Sequence, residues 1–171
     1  TLMRDTWHLL KTTDFPAVSR RPLEVLQVNL GYLCNQSCLH CHVNAGPTRK
    51  ELMDGKNVQH ILQILEQTSA HTLDLTGGAP EMNPLFRELV VAARQLGVTV
   101  IDRCNLTILL EPGYEGTAEF LAENEVQIVA SLPCYLEDNV DGQRCKRVYQ
   151  KSMQALRQLN QLGYGEGKGK L

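Results

Sequence analysis

The sequence has no marked excess of charge of either sign, no long apolar run, and no fourth cysteine beside its densest cysteine cluster. Each absence removes a class of function. With 17 Lys and Arg against 19 Asp and Glu the formal net charge is −2, so the composition gives no support to a nucleic-acid partner. No run of apolar residues is long enough to span a bilayer, and no membrane partner is expected. The N-terminal stretch does not read as a signal peptide, because His8 and Lys11 interrupt Trp7, Leu9 and Leu10. What is present is a chain of 171 residues, 43% hydrophobic, enough for one globular domain with a buried core.

Three cysteines, Cys34, Cys38 and Cys41, fall in one run with the spacing C-x₃-C-x₂-C. The missing fourth cysteine matters because closed structural zinc and iron–sulfur sites want four protein ligands. Three thiolates on one loop hold three irons of a [4Fe–4S] cube and leave the fourth open to a ligand. The alternative is a zinc site closed by His40 or His42. Six cysteines in all would suit secreted disulfides, but three packed this closely in an α/β sequence read as metal ligands in a reducing cytoplasm.

The pattern along the chain is strand, helix, strand, helix. Leu23 to Leu30 alternates as a strand and runs into the cysteine loop. A helix is expected from Gly55 to Gln67, with Val58, Ile61, Leu62 and Leu65 on one face. Thr72 to Thr76 is the second strand, ending in Gly77-Gly78-Ala79-Pro80-Glu81. Asn83 is expected to cap a helix with Pro84 in its first turn, burying Leu85, Phe86, Leu89, Val90, Ala93 and Leu96. Val98 to Asp102, a short helix from Thr117 to Asn124, a strand from Val126 to Leu132 and a helix from Arg144 to Leu162 complete the series. Such alternation implies right-handed βαβ units and a parallel sheet. The expected division is a lead-in at 1–22, a core at 23–162 and a glycine-rich tail at 163–171 without core signal, where a longer chain is expected to continue.

The cysteine motif resembles the signature of the radical S-adenosylmethionine (SAM) superfamily. The resemblance implies an α/β fold, a partial (β/α) TIM-like barrel with four βα units visible. It also implies that SAM chelates the open iron through its amino and carboxylate groups. An electron from the cluster then cleaves the sulfonium to give a 5′-deoxyadenosyl radical. By the same resemblance, His40 lies near the adenine and Gly77 and Gly78 let backbone carbonyls approach the SAM amino group. Glu81 completes a GGE-type motif from which this sequence departs, since Ala79-Pro80 intervenes. Asn105 and Ser131 are the expected polar contacts to SAM, and Arg144 the partner of its carboxylate.

Longer runs resemble the arsenosugar-biosynthesis radical SAM proteins: Leu26 to Leu33, His42 to Pro47, Asp74 to Glu81, Ile101 to Thr107 and Ala130 to Val140. That resemblance implies transfer of the adenosyl group to trivalent dimethylated arsenic, with an electron donor such as a flavodoxin or ferredoxin. Trivalent arsenic is soft and prefers thiolate. Cys104 and Cys134, at the ends of the third and fourth strands, are therefore candidate arsenic ligands, expected to face the barrel mouth. Cys145 has no assigned role. A radical SAM enzyme acting on another substrate, such as a peptide, and a non-catalytic iron–sulfur or zinc module are the rival readings.

Overall fold

The computed structural model describes residues 6–16, 19–39, 41–132, 134, 136–143, 148–165 and 167. After a single helical turn, α1 (Trp7–Leu10), the chain alternates strands and helices. The strands are β1 (Val25–Asn29), β2 (Thr72–Thr76), β3 (Thr99–Asp102) and β4 (Gln127–Ile128). Between and after them lie α2 (Gly55–Gln67), α3 (Phe86–Gln95), α4 (Thr117–Glu123), α5 (Glu137–Gln143) and α6 (Val148–Gln161). The four strands form one parallel sheet in chain order, β1-β2-β3-β4, which does not close. This is the expected partial barrel.

The register explains where each side chain goes. Gln27 lies opposite Asp74, Asp74 opposite Ile101, and Ile101 opposite Gln127. The next row is Val28, Leu75, Asp102 and Ile128. Successive side chains of a strand point to opposite faces, so the second row faces the helices and the first faces the other way. Val28, Leu73, Leu75, Val100 and Ile128 pack with Val58, Ile61 and Leu65 of α2, Phe86, Leu89, Val90 and Ala93 of α3, and Leu121 of α4. Each such side chain is worth roughly 1.5–3 kcal/mol of burial. On the opposite face Val25 and Val129 are 47% and 43% exposed.

Three helix and strand boundaries differ from expectation. Asp54 caps α2 as a carboxylate should, accepting from Asn57 N at 2.9 Å. Asn83 does not cap α3 directly. Residues Pro80–Met82 form a 3₁₀ turn, Asn83 Oδ1 accepts from Leu85 N, and the helix begins at Phe86. The long β4 is reduced to two paired residues, although Val129 N and Ser131 N still donate to Asp102 O and Cys104 O at 2.8 and 2.9 Å. The strand from Val126 to Leu132 thus continues as alternate hydrogen bonds without a full ladder. The single final helix is divided into α5 and α6.

The core also runs past the expected boundary at Leu162. Tyr164 is fully buried and donates its hydroxyl to Val126 O at 2.9 Å. Burial pushes its phenol well up from the ordinary value. One aromatic among glycines carries no periodicity, so its place in the core left no signal in the pattern.

Candidate active site

The cysteine loop follows β1 and rises over the C-terminal ends of the strands. It is stitched to the β2 turn by backbone: Gly78 N donates to Gly31 O and Ala79 N to Leu33 O, both at 2.9 Å. This close approach is why both positions are glycine. Gly77 sits at φ +134°, where a Cβ would fall 2.8 Å from Asn29 Oδ1. A Cβ on Gly78 would strike Leu33 O and lie 3.0 Å from Cys34 Cβ. The Gly-Gly pair therefore holds the cysteine loop as well as lining the space beside it.

That space is a cavity of about 280 Å³. Cys34, Cys38 and Cys41 line it together with Gly77, Gly78, Asn105 and Ser131. Thr76, Arg103, Asn105, Val129 and Ser131 all reach it from the sheet face turned away from the helices, as their parity requires. His42 also lines it.

Amide donors serve the sulfurs of Cys34 and Cys41. Cys34 Sγ accepts from Gln36 N at 3.4 Å and from Asn105 Nδ2 at 3.5 Å, and Cys41 Sγ accepts from Ala45 N at 3.3 Å. Burial pushes the Cys34 thiol up, and the Gln36 and Asn105 donors offset part of that. Among the described residues, the three sulfurs do not converge to within 4.8 Å of one another. One zinc ion at about 2.3 Å from each sulfur needs closer convergence than this, whereas the separate corners of a cube do not. The donor type, the number of thiols and the side cavity fit a site-differentiated cluster with a small ligand beside it.

Asn105 holds the loop in place. Its Nδ2 also donates to Asn35 Oδ1 at 2.8 Å, and its Oδ1 accepts from Thr107 Oγ1 and Ile108 N, each at 3.2 Å. Thr107 Oγ1 in turn accepts from Asn35 Nδ2 and Gln36 Nε2 at 2.9 and 2.6 Å. Both N–H bonds and both lone pairs of Asn105 are engaged; it supports the cysteine loop and also lines the cavity. Asn35, Gln36 and Thr107 had no role in the sequence reading. Arg103 was equally unassigned. It donates two bonds of 2.8 Å to Asp74, which also accepts from Gln27 Nε2 at 2.8 Å. Burial raises the Asp74 carboxyl, but the Arg103 and Gln27 bonds outweigh it and hold the group below its ordinary value.

Other expected site residues lie elsewhere. Cys104 does not line the cavity. It sits between Arg103 and Asn105, so its side chain faces the helix layer, fully buried. Glu81 is also buried away from the cavity, grouped with Cys104 and Asp102. Burial, then the charges of Glu81 and Asp102, push the Cys104 thiol far up, and burial raises both carboxyls too. Cys134 is not among the described residues lining the cavity; Leu136 N and Asn139 Nδ2 each donate to its sulfur at 3.5 Å, turning it to the start of α5. His40, Arg144 and Cys145 lie outside the described residues.

An open parallel sheet with a three-cysteine loop over its strand ends makes a partial barrel, and known proteins resemble it. A probable GTP 3′,8-cyclase of Saccharolobus solfataricus is 29% identical over 91 residues, 53% of this chain and 30% of that protein. Its counterpart in Saccharolobus islandicus is 25% identical over the same span. The chain thus matches 30% of the length of these curated relatives. Streptococcus suis SuiB bound to S-adenosylmethionine superposes with a TM-score of 0.67 at 18% identity, covering 83% of this chain and 32% of SuiB. The protein anSMEcpe with bound AdoMet gives 0.66 at 19%, covering 83% and 42%. No protein-family model matches the chain. These likenesses agree with the fold expected of the radical SAM superfamily and do not by themselves show its arsenosugar branch.

Proposed function

We propose that this chain carries the cluster and SAM sites of a radical SAM enzyme. The supporting observation is that Cys34, Cys38 and Cys41 line one cavity with Gly77, Gly78, Asn105 and Ser131. In this reading the three thiolates hold a [4Fe–4S] cluster. When bound, the cluster supplies the electron that cleaves the carbon–sulfur bond of SAM. Gly77 and Gly78 bring backbone rather than side chain against the amino acid end of SAM, and Ser131 offers a hydroxyl on the far wall. Asn105 holds Cys34 in register with the cavity. His40 and Arg144 keep their proposed roles beside the adenine and the carboxylate. A one-electron donor such as a flavodoxin or ferredoxin would supply that electron.

For the substrate we infer a trivalent dimethylated arsenical, on the strength of the five runs that resemble the arsenosugar proteins. With Cys104 turned into the core, the cavity thiols left to meet such a substrate do not include it. A peptide substrate is the second reading, favoured by the likeness to SuiB bound to precursor peptide SuiA, TM-score 0.68 at 19% identity. The test is anaerobic reconstitution with iron and sulfide, then assay of SAM cleavage with and without dimethylated trivalent arsenic. An adenosylated arsenical supports the first reading. Cleavage that yields no arsenical product refutes it, and cluster-loaded protein that binds no SAM refutes the enzyme assignment.

A further inference from the structure

Glu81, Asp102 and Cys104 form a buried group that the proposed chemistry does not use. One ligand atom from each lies within 4.8 Å of the others. Glu81 is 7% exposed, while Asp102 and Cys104 are sealed from solvent. All four carboxylate oxygens are buried, and among the described residues none has a hydrogen-bond partner of ordinary geometry, although Glu81 lies near its own backbone amide, the Cys104 thiol and Asp102. Leaving even one buried polar atom unpaired costs about 1–3 kcal/mol, and an uncompensated buried charge costs more. Among the described residues the charges that act on Asp102 are those of Glu81 and Asp74, both of the same sign as its own. Two buried carboxylates and a thiol that bring one atom each within 4.8 Å of the others need a cation or a shared proton.

We propose that Glu81, Asp102 and Cys104 bind one divalent metal ion of the zinc kind, behind the sheet from the cluster cavity. Two carboxylates and a thiolate make a borderline-soft donor set that suits zinc better than magnesium or calcium, which take oxygen alone. A proton shared between the carboxyls would remove one charge and leave the thiol only a weak hydrogen bond to Glu81. A metal uses all three side chains. An approach exists as well, since Glu81 lines a separate cavity of about 430 Å³ with Met82, Arg87, Tyr114 and Thr117. Placement gives the ion a task. Glu81 closes the turn that begins at Gly77-Gly78, and Cys104 immediately precedes Asn105. An ion joining them fixes the two walls that position Cys34.

The test separates this ion from the cluster. In the full chain, Cys34, Cys38 and Cys41 are all changed to alanine, which removes the cluster ligands. After exposure to zinc and dialysis, metal analysis should find about one zinc per chain, and cobalt(II) in its place should show a sulfur-to-metal charge-transfer band. Adding Asp102→Asn or Cys104→Ser should abolish both. If the triple variant does not fold, the unaltered chain serves: zinc should raise its melting temperature, and the rise should vanish in Asp102→Asn. Folded protein without zinc, or zinc retained in both Asp102→Asn and Cys104→Ser, overturns the proposal. An infrared band of a protonated carboxyl that persists when zinc is supplied overturns it in favour of the shared proton.

Discussion

Asn105 Nδ2 reaches the sulfur of Cys34 at 3.5 Å, joining the end of β3 to a cysteine 71 residues earlier. The same amide donates to Asn35, so one side chain fixes both the position of the loop and the electrostatics of its first thiolate. An N–H donor to sulfur stabilises added negative charge and raises the reduction potential of a bound cluster.

Asn105→Leu keeps similar volume and removes both donors. The expected result is a lower midpoint potential for the reconstituted cluster and faster loss of iron under chelator. A redox titration followed by electron paramagnetic resonance measures the first, and bleaching of the visible band measures the second. An unchanged potential would show that the 3.5 Å contact has no electronic effect.

Gly78 is expected to govern the cluster before it governs SAM. A methyl group there strikes Leu33 O and crowds Cys34 Cβ at 3.0 Å, and both belong to the loop that carries the ligands. Overpacking against backbone costs about 1–3 kcal/mol. Gly78→Ala should therefore lower iron content after reconstitution along with SAM affinity. Full iron content with weakened SAM binding would mean that the loop yields and the Gly-Gly serves the cofactor alone. The backbone contact changes what a larger substitution reports: Gly78→Val disturbs Cys34 directly and cannot isolate SAM binding.

The parts of this site that were legible in the sequence are those written in local spacing. Cysteine spacing marked the three thiols that line the cavity, alternation marked β1 to β3, and the helical period of Val58, Ile61 and Leu65 marked α2. The direction of Cys104 is legible too, from side-chain parity. Asp102 and Cys104 share one face of β3, and Arg103 and Asn105 share the other, so a cavity-facing Asn105 excludes a cavity-facing Cys104. The Asn35, Gln36 and Thr107 network was not legible. It joins residues 71 and 72 positions apart through side-chain geometry alone. The two-residue β4 escaped notice because Val126 to Leu132 has strand composition throughout, and only pairing limits its length.

Asp74 and Arg103 give the open face of the sheet a pH-dependent contact. The folded-state carboxyl lies below its ordinary value, so its contribution is fully present above the unfolded value of about 3.9 and is lost as pH falls through the lower, folded one. Arg103 is 44% exposed, and solvent screening limits the pair to about 1 kcal/mol. Asp74→Asn should be less stable than the parent at pH 7 by about that amount, with the gap closing below about pH 4. Denaturant unfolding at both pH values checks it. A gap that persists in acid would assign the loss to Gln27 and packing instead of to charge.

Tyr164 tests how far the folded unit extends. Its ring is fully buried and its hydroxyl donates to Val126 O, the residue that leads into β4. Removing the hydroxyl leaves that carbonyl without its bond, a loss of about 1 kcal/mol. Removing the ring opens a cavity, which for a buried aromatic costs about 3–5 kcal/mol. For a chain of this size each kcal/mol moves the melting temperature by about 2–4 °C. Tyr164→Phe is therefore expected to melt a few degrees lower than the parent and Tyr164→Ala about 10 °C lower, if not unfolded outright. Both variants should weaken protection of the Val126 to Ser131 amides in hydrogen exchange, because the Tyr164 hydroxyl holds Val126 O at the entry to that segment. Equal melting temperatures for all three chains would mean that the core ends with α6, and that Tyr164 fills space without securing β4.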